Sequence, residues 1–534
     1  MGAKLHQFNW YNFVVCVLVS LGQIAFGYPA SVIGVTLGEP SFLIYMGLLD
    51  PKTEALTPNA NQLIGATSGV FQAGAVLGVL ACSVVMEKWG RKAGIIYCAV
   101  FSLFGGGLLV GSKNIAMFIV ARFFAGVGSW GFLAVTPTYT TELAPPALRG
   151  FFVGMNGVNI ALGYALASYM GMAFYFAKDP ALQWPGPLGL ALVWPLMMLV
   201  VMFFIPESPR WLLLKGKVEK AQEIAYRLHK IKNDPDQEFA RGEFYQMQKQ
   251  AELDRTLEPG WKAMFSKPSY RKRTALATGF AFIGQSTAVL VINNYGPTLY
   301  KALGYGTKDQ LALQCGWITV GIIFNFVGAS LMDRIGRRPL MIFGVAACCV
   351  TLIIEAAMVA NFAAAGTNKA GLGVCVAAFY CFLAVYSVGI DVAGVVFYGE
   401  LFPNHIRAKG VCLSVATIAL TDLVYLQATA TAFANIGWKF YLVFIIISGL
   451  GAILMFFVLP ETKGISIEEM AKIFGDTEDI MVYAEDIHVD HNTHELIVAA
   501  HGDKSGEELT HVATHQGLTP DMEKEVSATR IEHA

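Results

Sequence analysis

Apolar residues run along this chain in blocks of about twenty, separated by short polar segments rich in Gly, Pro, Lys and Arg. An α-helix rises 1.5 Å per residue, so about 20 apolar residues cross the hydrocarbon core of a bilayer. Such blocks lie at Asn12–Leu37, Leu63–Val85, Gly94–Gly111, Ile115–Pro137, Phe151–Phe176 and Leu188–Ile205, and they predict helices 1 to 6. A polar stretch follows from Pro206 to Arg273. Helices 7 to 12 are then predicted at Thr274–Tyr300, Leu313–Met332, Leu340–Asn361, Gly371–Gly399, Gly410–Phe433 and Phe440–Leu459. The expected architecture is an all-α membrane protein of 12 transmembrane helices in two six-helix bundles, with a helical insert between them. Its parts are a short N-terminus (1–11), a first bundle (12–205), the insert (206–273), a second bundle (274–459) and a largely disordered tail (460–534). In the insert, Ala221, Ile224, Ala225, Leu228 and Ile231 share one face at helical spacing, which predicts short helices and not a further domain.

Composition agrees with a nonpolar solvent. The 534 residues are 55% hydrophobic and only 14% charged, with mean hydropathy +0.52, where soluble domains carry about 25% charge. The net charge of -1 gives no reason to expect nucleic acid as a partner. The nine cysteines, Cys16, Cys82, Cys98, Cys315, Cys348, Cys349, Cys375, Cys381 and Cys412, fall in apolar runs without CxxC or CxxxH spacing. They read as small core residues, so neither metal nor cofactor is expected. The tail adds His488, His491 and His494, which read as part of a polar segment before they read as metal ligands. No phosphate-cradling G-x-x-x-x-G-K-[ST] loop, HExxH or GxSxG motif occurs, which argues against a primary pump or an enzyme. Met1–Trp10 is polar and the first apolar block is long enough to span, so helix 1 is expected to be its own uncleaved insertion signal. His6 stands where myristoylation needs Ser or Thr.

Orientation follows from the sidedness of Lys and Arg. One set of loops holds Lys88, Arg91 and Lys92, then Arg149, then Arg334, Arg337 and Arg338, then Arg407 and Lys409, and the basic insert lies on the same side. The opposite loops hold only scattered lysines such as Lys52, Lys113, Lys178 and Lys308. Both termini are therefore expected in the cytoplasm, most simply at the plasma membrane. A monomer in the lipid bilayer is expected, with a small-molecule solute and, where transport is coupled, protons as partners.

The halves repeat one another. Trp89-Gly90-Arg91-Lys92 returns as Ile335-Gly336-Arg337-Arg338, Glu142-Leu143 with Arg149-Gly150 returns as Glu400-Leu401 with Arg407 and Gly410, and Pro206-Glu207-Ser208-Pro209-Arg210 returns as Pro460-Glu461-Thr462-Lys463-Gly464. Each pair sits at the same place in its half, after helices 2 and 8, 4 and 10, 6 and 12, which indicates duplicated bundles. The recurring charges Arg91, Glu142, Arg149, Glu207, Arg337, Glu400, Arg407 and Glu461 read either as topogenic charges or as a network that pairs when the inner ends of the bundles meet.

WGRK, ELAPPALRG, PESPRWLL, DRIGRRP, ELFPNHIRAKG and PETKG resemble the signature set of the sugar-porter family of the major facilitator superfamily, here a fungal-like member, and the resemblance spans helices 1 to 12. It implies a V-shaped pair of bundles and alternating access around a central site. A nutrient sensor of the same fold, or an exporter of a small metabolite, is the competing reading. The pocket positions depart from the family pattern. Pro29 follows Phe26-Gly27-Tyr28 where an acid or Asn is usual, which removes the expected partner of Arg122. Gly157, Gly284, Leu290, Val395, Ile418 and Ala419 stand at the other expected amide or Trp positions. Most of a hexose site's amides and its aromatic floor are thus expected to be missing. The substrate-binding candidates are Arg122, Asn156, Asn159, Gln285, Asn293, Asn294, Asp391 and Asp422. Ionisable groups at membrane depth are costly and default to functional roles. On that basis Arg122 reads as the cation for an anionic solute or as framework, and Asp391 and Asp422 read as proton carriers or as structural hydrogen-bonders. Glu355 in helix 9 reads as a structural hydrogen-bonder as readily as a functional acid.

Overall fold

The computed structural model describes residues 8–476 apart from 54, 232–233, 235–236, 258–259, 364–368 and 466, and beyond them residues 487–489, 496–499 and 509–512. Ten helical runs are long and apolar enough to cross a membrane. In the first half these are Trp10–Gly38, Ala60–Trp89, Arg91–Val110, Ile115–Leu143 and Pro146–Tyr175, and a shorter apolar helix, Pro185–Val201, takes the place of helix 6. Helix 7 is two pieces, Pro268–Gln285 and Val289–Ala302, broken where Ala288 takes φ 72. Helices 8 and 9 are Thr307–Ile335 and Arg337–Met358. The run Asn404–Val458 is two crossings, helix 11 (Asn404–Ile436) and helix 12 (Tyr441–Val458), because the chain turns at Gly437 with φ 53. Helix 10 runs Lys369–Tyr386, widens into a π turn at Ser387–Asp391, and continues as Val392–Leu401. Twelve crossings result among the described residues.

Small residues set how closely these helices approach, as they do wherever no hydrophobic effect drives association inside lipid. Gly126 of helix 4 lies directly on the Phe71 backbone of helix 2, and Gly163 of helix 5 lies on Gly27 of helix 1. Helix 2 packs along helix 11 and helix 5 along helix 8, so the two bundles meet on two long seams. Large apolar side chains such as Phe203, Phe204, Leu450 and Phe457 point outward, as a lipid-facing surface requires.

The insert forms Pro209–Leu214, Val218–His229, Glu238–Thr256 and Ala263–Ser266. Ala221, Ala225 and Leu228 are buried, as their spacing predicts, and Ile224 and Ile231 are half-buried. A small separate core gathers Trp211, Leu213, Ala221, Phe244 and Met247. The tail departs from the expected disorder in its described parts. Glu468–Phe474 is a 3-10 helix, and Ile487–Val489, Leu496–Ala499 and Leu509–Val512 pair as an antiparallel three-stranded sheet. Short runs of β-branched residues between polar segments account for the strands. His488 lies in the first strand; His491 and His494 lie outside the described residues.

The duplication is visible in backbone detail at the charged end. Helices 3 and 9 each begin just after a glycine with positive φ, Gly90 (φ 101) and Gly336 (φ 108). The first amides of each helix would be orphaned at a buried terminus. Glu207 accepts from the Arg91 and Lys92 amides at 3.1 and 3.3 Å, and Glu461 accepts from Arg337 and Arg338 at 3.0 and 3.2 Å. A carboxylate placed on a helix N-terminus also meets the positive end of the helix dipole. A Cβ on either glycine would run into that carboxylate. Gly336→Ala should therefore lower stability by about 1–3 kcal/mol from backbone strain alone, read as a fall in Tm of the purified protein, while Gly107→Ala, which meets nothing within 4 Å, should leave Tm nearly unchanged.

Candidate functional site

Between the bundles lies a central cavity built from one stripe of each surrounding helix. Helix 5 supplies Ile160, Ala161 and Tyr164, helix 8 supplies Trp317, Ile318, Gly321 and Asn325, and helix 11 supplies Val411, Val415 and Ile418. Each stripe recurs every three or four residues, so each is a single helix face. Seven aromatic residues line the space: Phe26, Trp130, Tyr164, Phe280, Trp317, Tyr386 and Tyr398. The polar groups are Gln285, Asn293, Asn325 and Asp391, and none of the lining residues is Lys, Arg or His.

Asp391 reaches this wall because the π turn Ser387–Asp391 shifts the register of helix 10 by a residue. Asn325 stands beside it. Tyr164 and Tyr386 lie within electrostatic reach of both Asp391 and Asp422, and the Gln285 side chain meets the Tyr386 hydroxyl. Asn325 donates to the Gly321 carbonyl at 3.0 Å, leaving its Oδ1 without a partner. Asn293 accepts from the Ser31 hydroxyl at 3.2 Å, leaving its Nδ2 free. Both asparagines are 1% exposed.

Of the substrate-binding candidates, Gln285, Asn293 and Asp391 face the cavity. Arg122, Asn156, Asn159, Asn294 and Asp422 are buried and are not part of its lining. Arg122 is held by structure: its guanidinium donates to the Thr67 and Pro29 carbonyls at 3.2 and 3.3 Å and stacks 3.9 Å over the Phe71 ring. Pro29 removes the expected acid, but its own backbone carbonyl accepts from the guanidinium, and an aromatic face completes the cradle. Asn156 donates to the Val153 carbonyl of its own helix at 2.9 Å and to the Thr140 hydroxyl of helix 4 at 3.5 Å, and Asn159 donates to the Ser20 hydroxyl of helix 1 at 2.8 Å, so both tie helix 5 to its surroundings. Glu355 is 2% exposed with neither carboxylate oxygen partnered among the described residues, so the hydrogen bond expected of it is not formed there.

The expected loss of the aromatic floor is also corrected. Val395 does stand where a Trp is usual, yet Trp130, Tyr164, Trp317 and Tyr398 supply aromatic surface from other positions. Sequence reasoning missed these residues because an aromatic at helical spacing is indistinguishable from core packing.

At the charged end the recurring charges pair within each bundle. Arg91 holds Glu142 bidentately at 2.7 and 2.5 Å, and Arg337 holds Glu400 at 3.2 and 2.8 Å. The Ser208 and Thr462 hydroxyls complete the two sites at 2.5 and 2.8 Å. These two pairs therefore lie inside their own bundles, while two other recurring charges, Arg149 and Arg407, reach across. Further links also cross. Asp333 of helix 8 accepts from the Phe151 amide of helix 5 at 3.0 Å, and Lys409 of helix 11 pairs with Glu87 of helix 2. Arg210 of the insert meets Glu468 beyond helix 12 at 2.9 Å. Arg149 donates to the Ile465 carbonyl at 3.5 Å, and Arg407 stands 3.9 Å from Glu142. Glu87 and Asp333 occupy matching positions in the repeat, four residues before Arg91 and Arg337, but nothing in the repeat shows that each acid reaches the other bundle.

Residues 15–474 match the family model described as "Sugar (and other) transporter". The chain is 30% identical over 464 residues to the putative metabolite transport protein YwtG of Bacillus subtilis, covering 86% of this chain and 94% of that protein. It is 28% identical over 465 residues to the MFS-type transporter criB of Aspergillus cristatus, covering 87% of this chain and 93% of that protein. It is 26% identical over 494 residues to the high-affinity glucose transporter of Kluyveromyces lactis, covering 88% and 86%. Among solved structures, the proton:xylose symporter XylE superposes with a TM-score of 0.75 at 21% identity, covering 87% of this chain and 99% of that one. The fold is therefore that of the major facilitator superfamily, and the chain is an integral, multi-pass secondary transporter of small polar solutes that belongs to the sugar (and other) transporter family.

Proposed function

We propose that the chain moves its solute by alternating access through the central cavity, with the charged end facing the cytoplasm and the protein seated in the plasma membrane. The single observation that carries this reading is a cavity shared by both bundles above a set of cross-bundle links through acidic side chains at the charged end, Asp333–Phe151, Glu87–Lys409 and Arg210–Glu468. These links are the contacts that have to break for inward opening. The pairs inside each bundle stay intact and keep each bundle rigid. Replacing one partner of a buried pair costs about 3–5 kcal/mol, so Arg91→Ala or Arg337→Ala is a folding lesion before it is a switching one. The lack of any basic lining residue weighs against a free carboxylate as solute, and it retires Arg122 as the anion site. The usual helix-1 acid is Pro29 here, so we assign proton coupling to Asp422, which is 2% exposed with Oδ2 unpartnered among the described residues. Asp391 is left to the solute.

Asp333→Asn combined with Glu87→Gln should raise labelling of a cysteine placed at Val411 severalfold from the cytoplasmic side, in a background lacking the exposed Cys381; unchanged labelling at normal expression would contradict the assignment of these links. In Asp422→Asn, solute exchange between two filled compartments should persist while uphill accumulation driven by a pH gradient is lost. The third link titrates. Burial pushes the Glu468 carboxyl up, but the Arg210 guanidinium, with Arg149 and Arg407 nearby, outweighs it and holds Glu468 at about 2. A depressed acid stabilises above its unfolded value of about 4.3, and the contribution is lost as pH falls toward 2. Acidifying from pH 5 to pH 3 should lower Tm more in the wild type than in Glu468→Gln.

A further inference from the structure

Resting on the reading that the central cavity is the transport site, we propose that its solute is an organic cation: an amine on an aromatic or apolar body that also carries a hydroxyl. The cavity's one acidic lining residue is Asp391, and no Lys, Arg or His lines the cavity beside it. Among the described residues the Asn325 Oδ1 and the Gln285 Oε1, on two other lining side chains, are acceptors with no partner. A carboxyl and two unmatched acceptors in a partly dry space call for a donor-rich group, and an ammonium supplies three N–H donors and the opposite charge. The seven aromatic rings act in the same direction, because the negative π face attracts a cation and also covers an apolar body. A hexose offers hydroxyls around its whole rim and would leave most of them facing Ile160, Ile318, Leu383, Val411, Val415 and Ile418 without partners.

Two lining donors have no partner among the described residues, Trp130 Nε1 and Asn293 Nδ2, and the second is assigned to the other end of the solute. Asn293 Nδ2, on a side chain 1% exposed, is a donor with nothing to give to. It lies on helix 7 just beyond the break, whereas Asp391 is on helix 10 and Asn325 on helix 8. A hydroxyl oxygen meets Asn293 while the amine meets Asp391. The titratable groups within electrostatic reach of Asp391 are Tyr164 and Tyr386, neither of which brings a positive charge at neutral pH.

The test uses three molecules of one shape: tyramine, its neutral alcohol analogue 4-hydroxyphenethyl alcohol, and its anionic analogue 4-hydroxyphenylacetate, with glucose as a fourth ligand. Binding of radiolabelled tyramine to the purified full chain at pH 7 should be saturable. The alcohol should compete at least about tenfold more weakly, the size of one charge-assisted contact, and the acid and glucose should not compete. Asp391→Asn should bring tyramine down to about the affinity of the alcohol, with saturable binding of the alcohol retained to show that the variant is folded, and Asp391→Glu should keep the preference for the amine. Equal competition by the alcohol or glucose, a preference that survives Asp391→Asn, or no saturable tyramine binding would each overturn the cation assignment. State-dependent labelling at position 411 is independent of ligand charge, so its persistence in those cases leaves alternating access standing, and its loss removes alternating access itself.

Discussion

Hydrocarbon solvates neither a peptide group nor a charge, and most features of this protein follow from that. Every backbone N–H and C=O in the crossing segments has to be met inside the protein, which leaves helices as the local structure and confines irregular backbone to protein-lined interior. The break in helix 7 at Ser286–Ala288 and the π turn of helix 10 both lie against the central cavity, where the freed groups are enclosed by protein. The same constraint treats side-chain charge severely. Arg122 is tolerated because two carbonyls and the Phe71 ring replace the acid that Pro29 does not offer. Arg91 and Arg337 are tolerated because Glu142 and Glu400 meet them with two hydrogen bonds each.

That chemistry divides the molecule into parts that hold and parts that part. Inside each bundle, a bidentate pair, a hydroxyl and a carboxylate cap on the next helix form one closed unit, copied at Arg91–Glu142–Ser208–Glu207 and Arg337–Glu400–Thr462–Glu461. The bidentate contacts of each unit lie inside one bundle and do not resist a motion between bundles, whereas Arg407, 3.9 Å from Glu142, and Asp333, which meets both Arg337 and the Phe151 amide, tie the units across. The cross-bundle links are fewer and mostly single: one backbone amide on Asp333, one lysine on Glu87 and one arginine on Glu468. They are weak enough individually to break in turn, which is the property an alternating carrier needs.

The helices, the duplication and the insert were legible in the sequence because each leaves a periodic or repeated signal. Blocks of about twenty apolar residues mark crossings, and Gly90 and Gly336 recur at matching places because the same positive φ recurs. The partner of each charge was not legible. Arg91 and Arg337 carry no mark that distinguishes a pair within a bundle from one across it, and Glu87 and Asp333, in the last turns of helices 2 and 8, carry none either. The cavity wall was legible only where it is polar, at Gln285, Asn293 and Asp391. Trp130, Tyr164 and Trp317 look like core until helices 4, 5 and 8 are placed around a common space. Arg122 misled because the missing acid was visible in the sequence, whereas the carbonyls that replace it belong to backbone and are invisible there.

The central claim is that two rigid bundles move against each other about this cavity, and that the charged end closes by the cross-bundle links. The most direct measurement is a pulsed electron-spin distance between labels at Lys88 and Arg334, exposed residues at the ends of helices 2 and 8. The account predicts a short distance in the resting protein and a second, longer population when a transported solute is supplied, with distances inside each bundle unchanged. A single distance under all conditions, or changes within a bundle equal to those between bundles, would contradict it.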